Sequence, residues 1–285
     1  MSNSNPTYER RILRVLSHIH DNLDGDLSLE TLAKVACMSP FHWHRVFYGI
    51  TGETLAHCIR RVRMDRATFL LLQTESSVAE VAQKCGYGNV QSFARSFQAD
   101  YGLTPSKFRK SDLAKRICDT PRHAQPTKSF DIEVREQPSF RLVADSHRGD
   151  YQYLGRTISQ LHARISLRDI ELQNGHAISA AVLHDDPMLV SETELRSDIG
   201  FFIAEDIDLP EGFDEVRIAP SRCAVLHFVG PYVGLLEAYH YLYGHWVPNN
   251  GFELSDHPIY AMILEDPRGV SPNDLRTDIC LPLAD

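Results

Sequence analysis

The strongest constraint on this chain is an internal repeat. Leu195–Ile203 reads LRSDIGFFI, and Leu275–Leu283 reads LRTDICLPL. Aligning Ala181–Ile199 with Met262–Ile279, with one extra Asp in the first copy, gives 9 identities in 18 pairs. Ordinary composition gives about one such match by chance. Upstream, Gly149-x-Tyr151-x-x-Leu154 matches Gly230-x-Tyr232-x-x-Leu235 at a shift of 81. Each copy runs from short alternating strands (FDIEVREQ and FRLVADS, then DEVRIAP and RCAVLHFVG) through a helical stretch to two more strands. Two copies are too few for a solenoid, so a closed pseudo-twofold pair is expected, with modules at about 129–209 and 213–285.

The first half is built differently. The chain carries a net charge of −9, which divides into +6 over residues 1–128 and −15 over residues 129–285. A basic part and an acidic part call for different partners. Residues 1–110 show apolar positions at helical spacing almost throughout. A short helix over Leu29–Cys37 is capped by Ser28, and Ser39-Pro40 opens a second helix. That helix buries Trp43, Val46, Phe47 and Ile50 and leaves His44, Arg45 and Tyr48 outside, with Phe41 and His42 in its first turn. A long helix follows over Glu53–Gln73. The pattern then returns: Ser77 and Glu80 form a capping-box signature, Gly86 ends a helix, and VQSFARSF begins the next. Phe93 and Phe97 face inward, Gln91, Ser92 and Arg95 outward. Helix, short turn, helix is the arrangement whose second helix enters a DNA major groove. Arginine suits bidentate bonding to guanine and glutamine to adenine, and Arg45 and Arg95 hold equivalent places.

Residues 8–110 resemble the DNA-binding domain of AraC/XylS-type transcription regulators, most specifically through GYGNVQSFARSFQADYGLTPSKFR, Gly86–Arg109. The resemblance implies that Phe41, His42, His44 and Arg45, and Asn89, Gln91, Ser92 and Arg95, face double-stranded DNA. RNA polymerase is a further expected partner. Residues 111–128, polar and containing two prolines, read as a linker.

Residues 129–285 resemble the GyrI-like effector-binding domain through HFVGPYVGLLEAYHYLYGHWVPNNG, HPIYAMILEDP and LRTDICLPL. Two half-sheets about a pseudo-dyad leave a shared concavity, a usual place for a ligand. Its candidate lining residues are Tyr151, Tyr232, Glu237, Tyr239, Tyr243, Trp246 and Tyr260. In drug-binding members of that family a buried glutamate meets a cationic ligand. The register puts Ala261 there, so a cationic ligand does not carry over, and Glu237 and Glu265 remain as alternatives.

The expected fold class is α plus α/β multidomain: an all-α double helix-turn-helix domain, then an α+β domain made of a duplicated strand-helix-strand-strand module. The expected function is a sequence-specific transcription regulator with a small-molecule effector. A protein-interaction module and a small-molecule hydrolase stay open for the acidic part. No phosphate loop, GxSxG motif, cofactor signature or zinc spacing appears, and His18/His20 and His42/His44 sit at i,i+2, which turns the rings apart. No catalytic residue, metal or cofactor is assigned. The six cysteines show no CxxC pair and read as reduced thiols. No apolar run spans a bilayer, and the N-terminus lacks a secretory signal, so no membrane partner and a cytoplasmic location are expected.

Overall fold

A computed structural model describes residues 6–111, 129–173, 175, 177–185 and 190–284. The expected linker, apart from Ser111, lies outside the described residues. The chain forms two compact units, one of residues up to Ala99 plus Gln152–Glu171, the other of Asp100–Tyr151 plus Leu172–Asp285.

The first unit is helical: α1 (Pro6–Asp21), α2 (Leu29–Val35), α3 (Pro40–Thr51), α4 (Leu55–Gln73), α5 (Val78–Lys84) and most of α6 (Val90–Tyr101). The helix starts are set by side-chain caps. The Oγ of Ser28, Ser39 and Ser77 and the Oγ1 of Thr54 each accept from a first-turn amide, and Pro40 occupies the first helical position, where its missing N–H costs nothing. Ser77 and Glu80 close the expected capping box, at 3.2 and 2.6 Å. Two boundaries differ from the sequence reading. The second helix stops at Val35 because Cys37 takes a left-handed conformation (φ 53°), and α4 starts at Leu55 because Thr54, not Glu53, is its cap. Glu53 is instead buried, its carboxylate accepting from the Arg61 guanidinium at 2.7 Å.

One apolar core joins α1 to α4 through Ile12, Leu16, Leu32, Trp43, Phe47 and Ile59, and it includes Ala163. Ala163 belongs to α8 (Leu154–Leu167), the helix of the first repeat, so the sequence-level division at residue 110 does not coincide with the packing.

The second unit contains a short α7 (Pro105–Arg109) and one antiparallel sheet of β1 (Asp131–Gln137), β2 (Phe140–Arg148), β3 (Ser179–Leu183), β4 (Arg196–Phe202), β5 (Asp214–Ile218), β6 (Ser221–Val229), β7 (Ile259–Ile263) and β8 (Arg276–Pro282). The order β1-β6-β8-β7-β3-β4-β2-β5 reads the same from either end when each strand is exchanged for its repeat partner. The pseudo-dyad passes through the Ala181–Ala261 pair of β3 and β7. Each module's first strand pairs with the other module, β1 with β6 and β5 with β2, an exchange that interlocks the two copies.

The ladders also correct the repeat alignment. Ala181 lies opposite Ile199 and Ala261 opposite Ile279, so Ala181 is equivalent to Ala261 and not to Met262. The same one-residue offset makes Asp185 equivalent to Glu265, and each ion-pairs with the equivalent arginine, Arg196 and Arg276. The repeated glycines have a backbone reason. Gly149 (φ 124°) and Gly230 (φ 139°) take conformations that favour glycine, and their amides donate to Leu195 O and Leu275 O.

The second module's helix is α9 (Leu235–Tyr241), followed by a π-helical stretch over Leu242–Trp246 and by α10 (Val247–Asn250). The helical stretch of the second copy is therefore unbroken over Tyr232–Asn250 but changes its hydrogen-bond ladder along the way. Pro248 has no N–H to give to the preceding turn, which loosens the ladder there. Ala238 and Leu242 pack on the sheet face that carries Leu226, Ile279 and Leu281.

Candidate nucleic-acid interface and effector site

The basic unit presents two helices in the manner a groove reader requires. On α3, Trp43 and Phe47 are fully buried while His42, His44 and Arg45 are exposed. Phe41 sits in its first turn. On α6, Phe93 and Phe97 are fully buried and stack in a tilted pair 5.8 Å apart, while Gln91 and Arg95 are exposed and Ser92 is half-buried. Asn89, exposed, caps α6: its Oδ1 accepts from the Ser92 amide at 2.8 Å.

The long helix α4 ties the second turn to the first unit. Arg63 donates from Nε and Nη2 to the Leu23 carbonyl at 3.2 and 3.1 Å, closing the C-terminal end of α1, and its guanidinium lies over the Tyr87 ring. Gly86 fits beside that contact only because it lacks a side chain. A Cβ there would stand 2.0 Å from Leu23 O and 2.4 Å from Arg63 Nη2, and its φ of 71° favours glycine independently. This clamp, which sequence reasoning missed, ties α4 to the chain just after α1 and just after α5. Its only sequence signal was the glycine that ends α5.

His20 is held neutral inside this unit. Burial lowers its pKa from 6.5 to about 4, with Arg61 and Arg156 adding to the effect, and its Nε2 has no hydrogen-bond partner among the described residues. The Cys58 and Cys85 thiols are pushed up to about 12 by burial and are chemically quiet. Cys37 alone among the described cysteines is exposed.

In the second unit the expected effector residues divide. Tyr151, Tyr239 and Tyr243 come together. Burial raises the Tyr239 phenol well above its ordinary value, and Tyr243 and Tyr151 raise it further. The Tyr151 hydroxyl donates to the carbonyls of Asp185 and Arg196 at 2.8 and 3.1 Å. Glu237 is buried in α9, two residues before Tyr239. Tyr232 is half-buried in the turn before that helix. Trp246 stacks on Phe252 with rings 5.5 Å apart and nearly parallel.

Tyr260 lies on the opposite sheet face, where its hydroxyl is 3.7 Å from Cys223 Sγ and its ring packs with Met262 and Cys280. Neighbouring strand residues point to opposite faces, so Tyr260 and Ala261 do not share a site. Glu265 is engaged by the Arg276 guanidinium. Glu237 is thus the acidic alternative on the helix-bearing side. Among the described residues no cluster of His, Cys, Asp and Glu could hold a metal ion, and no helix is long and apolar enough to cross a membrane.

Comparison with known proteins fits this division. The family described as the GyrI-like small molecule binding domain matches residues 130–284, more than half of the chain. The chain belongs to the GyrI-like family. A helix-turn-helix domain family matches residues 32–111 of this GyrI-like protein and, with its relatives, identifies an AraC-type DNA-binding part. The transcriptional activator AarP of Providencia stuartii is 38% identical over 101 residues, 35% of this chain and 75% of AarP. The bifunctional transcriptional activator/DNA repair enzyme AdaA of Bacillus subtilis is 35% identical over 96 residues, 34% of this chain; the match spans 46% of AdaA, less than half its length. The crystal structure of the DNA-binding domain of AdpA, in complex with a target DNA, is 30% identical with a TM-score of 0.35, covering 37% of this chain and 95% of that one.

Proposed function

We propose that this GyrI-like protein is a sequence-specific transcription regulator that reads promoter DNA with α3 and α6 and answers to a small molecule held by its second unit. The observation that carries the reading is the pair of capped, core-anchored helices, each with an outward arginine. Phosphates fix the register of such a protein and base edges give it specificity. Arg45 and Arg95 supply base contacts, with His42, His44, Asn89, Gln91 and Ser92 around them. Contact with RNA polymerase and action in the cytoplasm complete the proposal.

The effector site centres on Tyr151, Tyr239, Tyr243 and Glu237. A tyrosine cluster, with a buried carboxylate carried by the same helix, suits a mostly apolar, amphipathic molecule. The unit acts as a sensor and not as an enzyme, since several of its carboxylates are committed to structural partners. Asp278 accepts from Arg135 and pairs with His227, and Asp198 accepts from Ser146 and pairs with His184.

The test is selection of bound duplexes from a random pool by the full chain. A defined sequence spanning two neighbouring major-groove segments is the expected result, with log Kd rising steeply with log salt. Recovery of no common sequence contradicts the proposal. A thermal-shift screen of amphipathic small molecules, repeated on Glu237→Gln, tests the sensor. Hits whose shift survives the substitution remove Glu237 from the site.

A further inference from the structure

The first repeat's helix sits in the helical unit along a continuous seam. Arg156 Nη1 donates to Asp21 Oδ1 at 2.7 Å, Gln160 Nε2 to Ser17 Oγ at 2.9 Å, and Arg168 Nη2 to Glu9 Oε2 at 3.0 Å, with Arg164 3.7 Å from the same carboxylate. The partners rise along α8 as they fall along α1, so the helices pack antiparallel. Residues 156, 160, 164 and 168 form one stripe at helical spacing. Beside it, Ala163 is fully buried in the core that holds Trp43 and Phe47 of α3. The helix therefore grips both α1 and the first reading helix.

Two consecutive residues lead into this helix. Tyr151 is anchored to the sheet through Asp185 O and Arg196 O. The next residue, Gln152, accepts from Arg66 of α4 at 2.5 Å, and the Arg66 guanidinium lies over the Tyr153 ring. One peptide bond separates an anchor in the sheet, next to the tyrosine cluster, from an anchor in the DNA-binding unit. At the other end the Gln173 amide donates to Phe202 O, again on the sheet.

We propose that α8 is the transmission element of this regulator: a change at Tyr151 is passed through Gln152 and the α8 seam to α1 and α3, and alters DNA affinity. The proposal rests on reading the second unit as a sensor. Linkage requires the effect to run in both directions, so DNA binding must alter the Tyr151 end.

The test uses the full chain and a duplex selected from a random pool, with no effector present. Its failure is therefore separable from failure of the small-molecule screen. Tyr151→Phe is measured in the native background and in one where Glu9→Gln, Ser17→Ala and Asp21→Asn loosen the seam. The expected result is a weakening of at least threefold in the native background and less than 1.5-fold in the loosened one. A denaturation curve for each variant checks folding. As a second readout that needs no variant, amide exchange over residues 149–167 slows when the duplex saturates the protein. An equal effect of Tyr151→Phe in both backgrounds, no effect in the native one, or exchange indifferent to the duplex overturns the proposal.

Discussion

The two repeat modules began with the same plan and assigned their helices to different work. Both open on a glycine of positive φ, a tyrosine in a 3-10 turn and a leucine that starts the helix. From there the equivalent positions diverge. Where the first helix has Arg156, Gln160, Ala163 and Arg164, the second has Glu237, Tyr241, Gly244 and His245. The first set forms the seam with α1 and α3. The second buries the Glu237 carboxylate and packs Tyr241 against Phe130, with ring centroids 5.2 Å apart. The first helix thus packs into the helical unit and the second onto the sheet, while the interlocked strands join the two copies.

The largest expected effect breaks that comparison at its centre. Ala163→Asp puts a charge into the core of the helical unit and is expected to cost about 4 kcal/mol. Its counterpart Gly244→Asp meets nothing within 4 Å and is expected to stay within about 0.5 kcal/mol. Equal losses in urea denaturation would show that the helices are not differently committed.

A second comparison is between the turns of the two DNA-reading units. Gly86→Ala is expected to cost about 3 kcal/mol, from the clash with Leu23 O and the positive φ together. The equivalent Cys37, also left-handed but exposed, is expected to gain up to about 1 kcal/mol as Cys37→Gly. Thermal midpoints of the two variants read both.

His20 gives the next effect. Its folded pKa lies below its unfolded one, so the unfolded chain takes up the proton first as the solution is acidified. The stabilisation is complete above pH 6.5 and falls away towards pH 4. Between pH 7.5 and pH 5 the loss is about 2 kcal/mol, and His20→Gln is expected to remove it from the pH profile. The smallest effect is at the rim of the α8 seam. Arg156→Ala breaks a partly exposed ion pair and is expected to cost at most about 0.5 kcal/mol of stability.

Much of this architecture is legible in the residues, and the reason is local chemistry. Ser28, Ser39 and Ser77 announce helix starts because a cap needs only its own first turn, although the same chemistry at Thr54 went unread. The strands show as alternation, and the two reading helices show as buried aromatics opposite polar residues. What escaped was non-local. The exchange of β1 and β5 between modules leaves no mark on either strand. Arg156, Gln160 and Arg164 have the composition of a solvated face, so the seam was invisible without α1 opposite it. The repeat alignment followed shared letters and slipped by one residue, where the ladder pairs Asp185 with Glu265 in role. Tyr260 was a miss that could have been caught, since strand parity sets it against Ala261.

The account stands most directly on the two outward arginines. With a duplex selected by the native chain, Arg45→Ala and Arg95→Ala are each expected to cost about 1–3 kcal/mol of specific binding, roughly 5- to 150-fold in Kd, and to relax selectivity at one groove segment each. If both variants bind that duplex as tightly and as selectively as the native protein, α3 and α6 are not the reading helices and the proposed function is wrong.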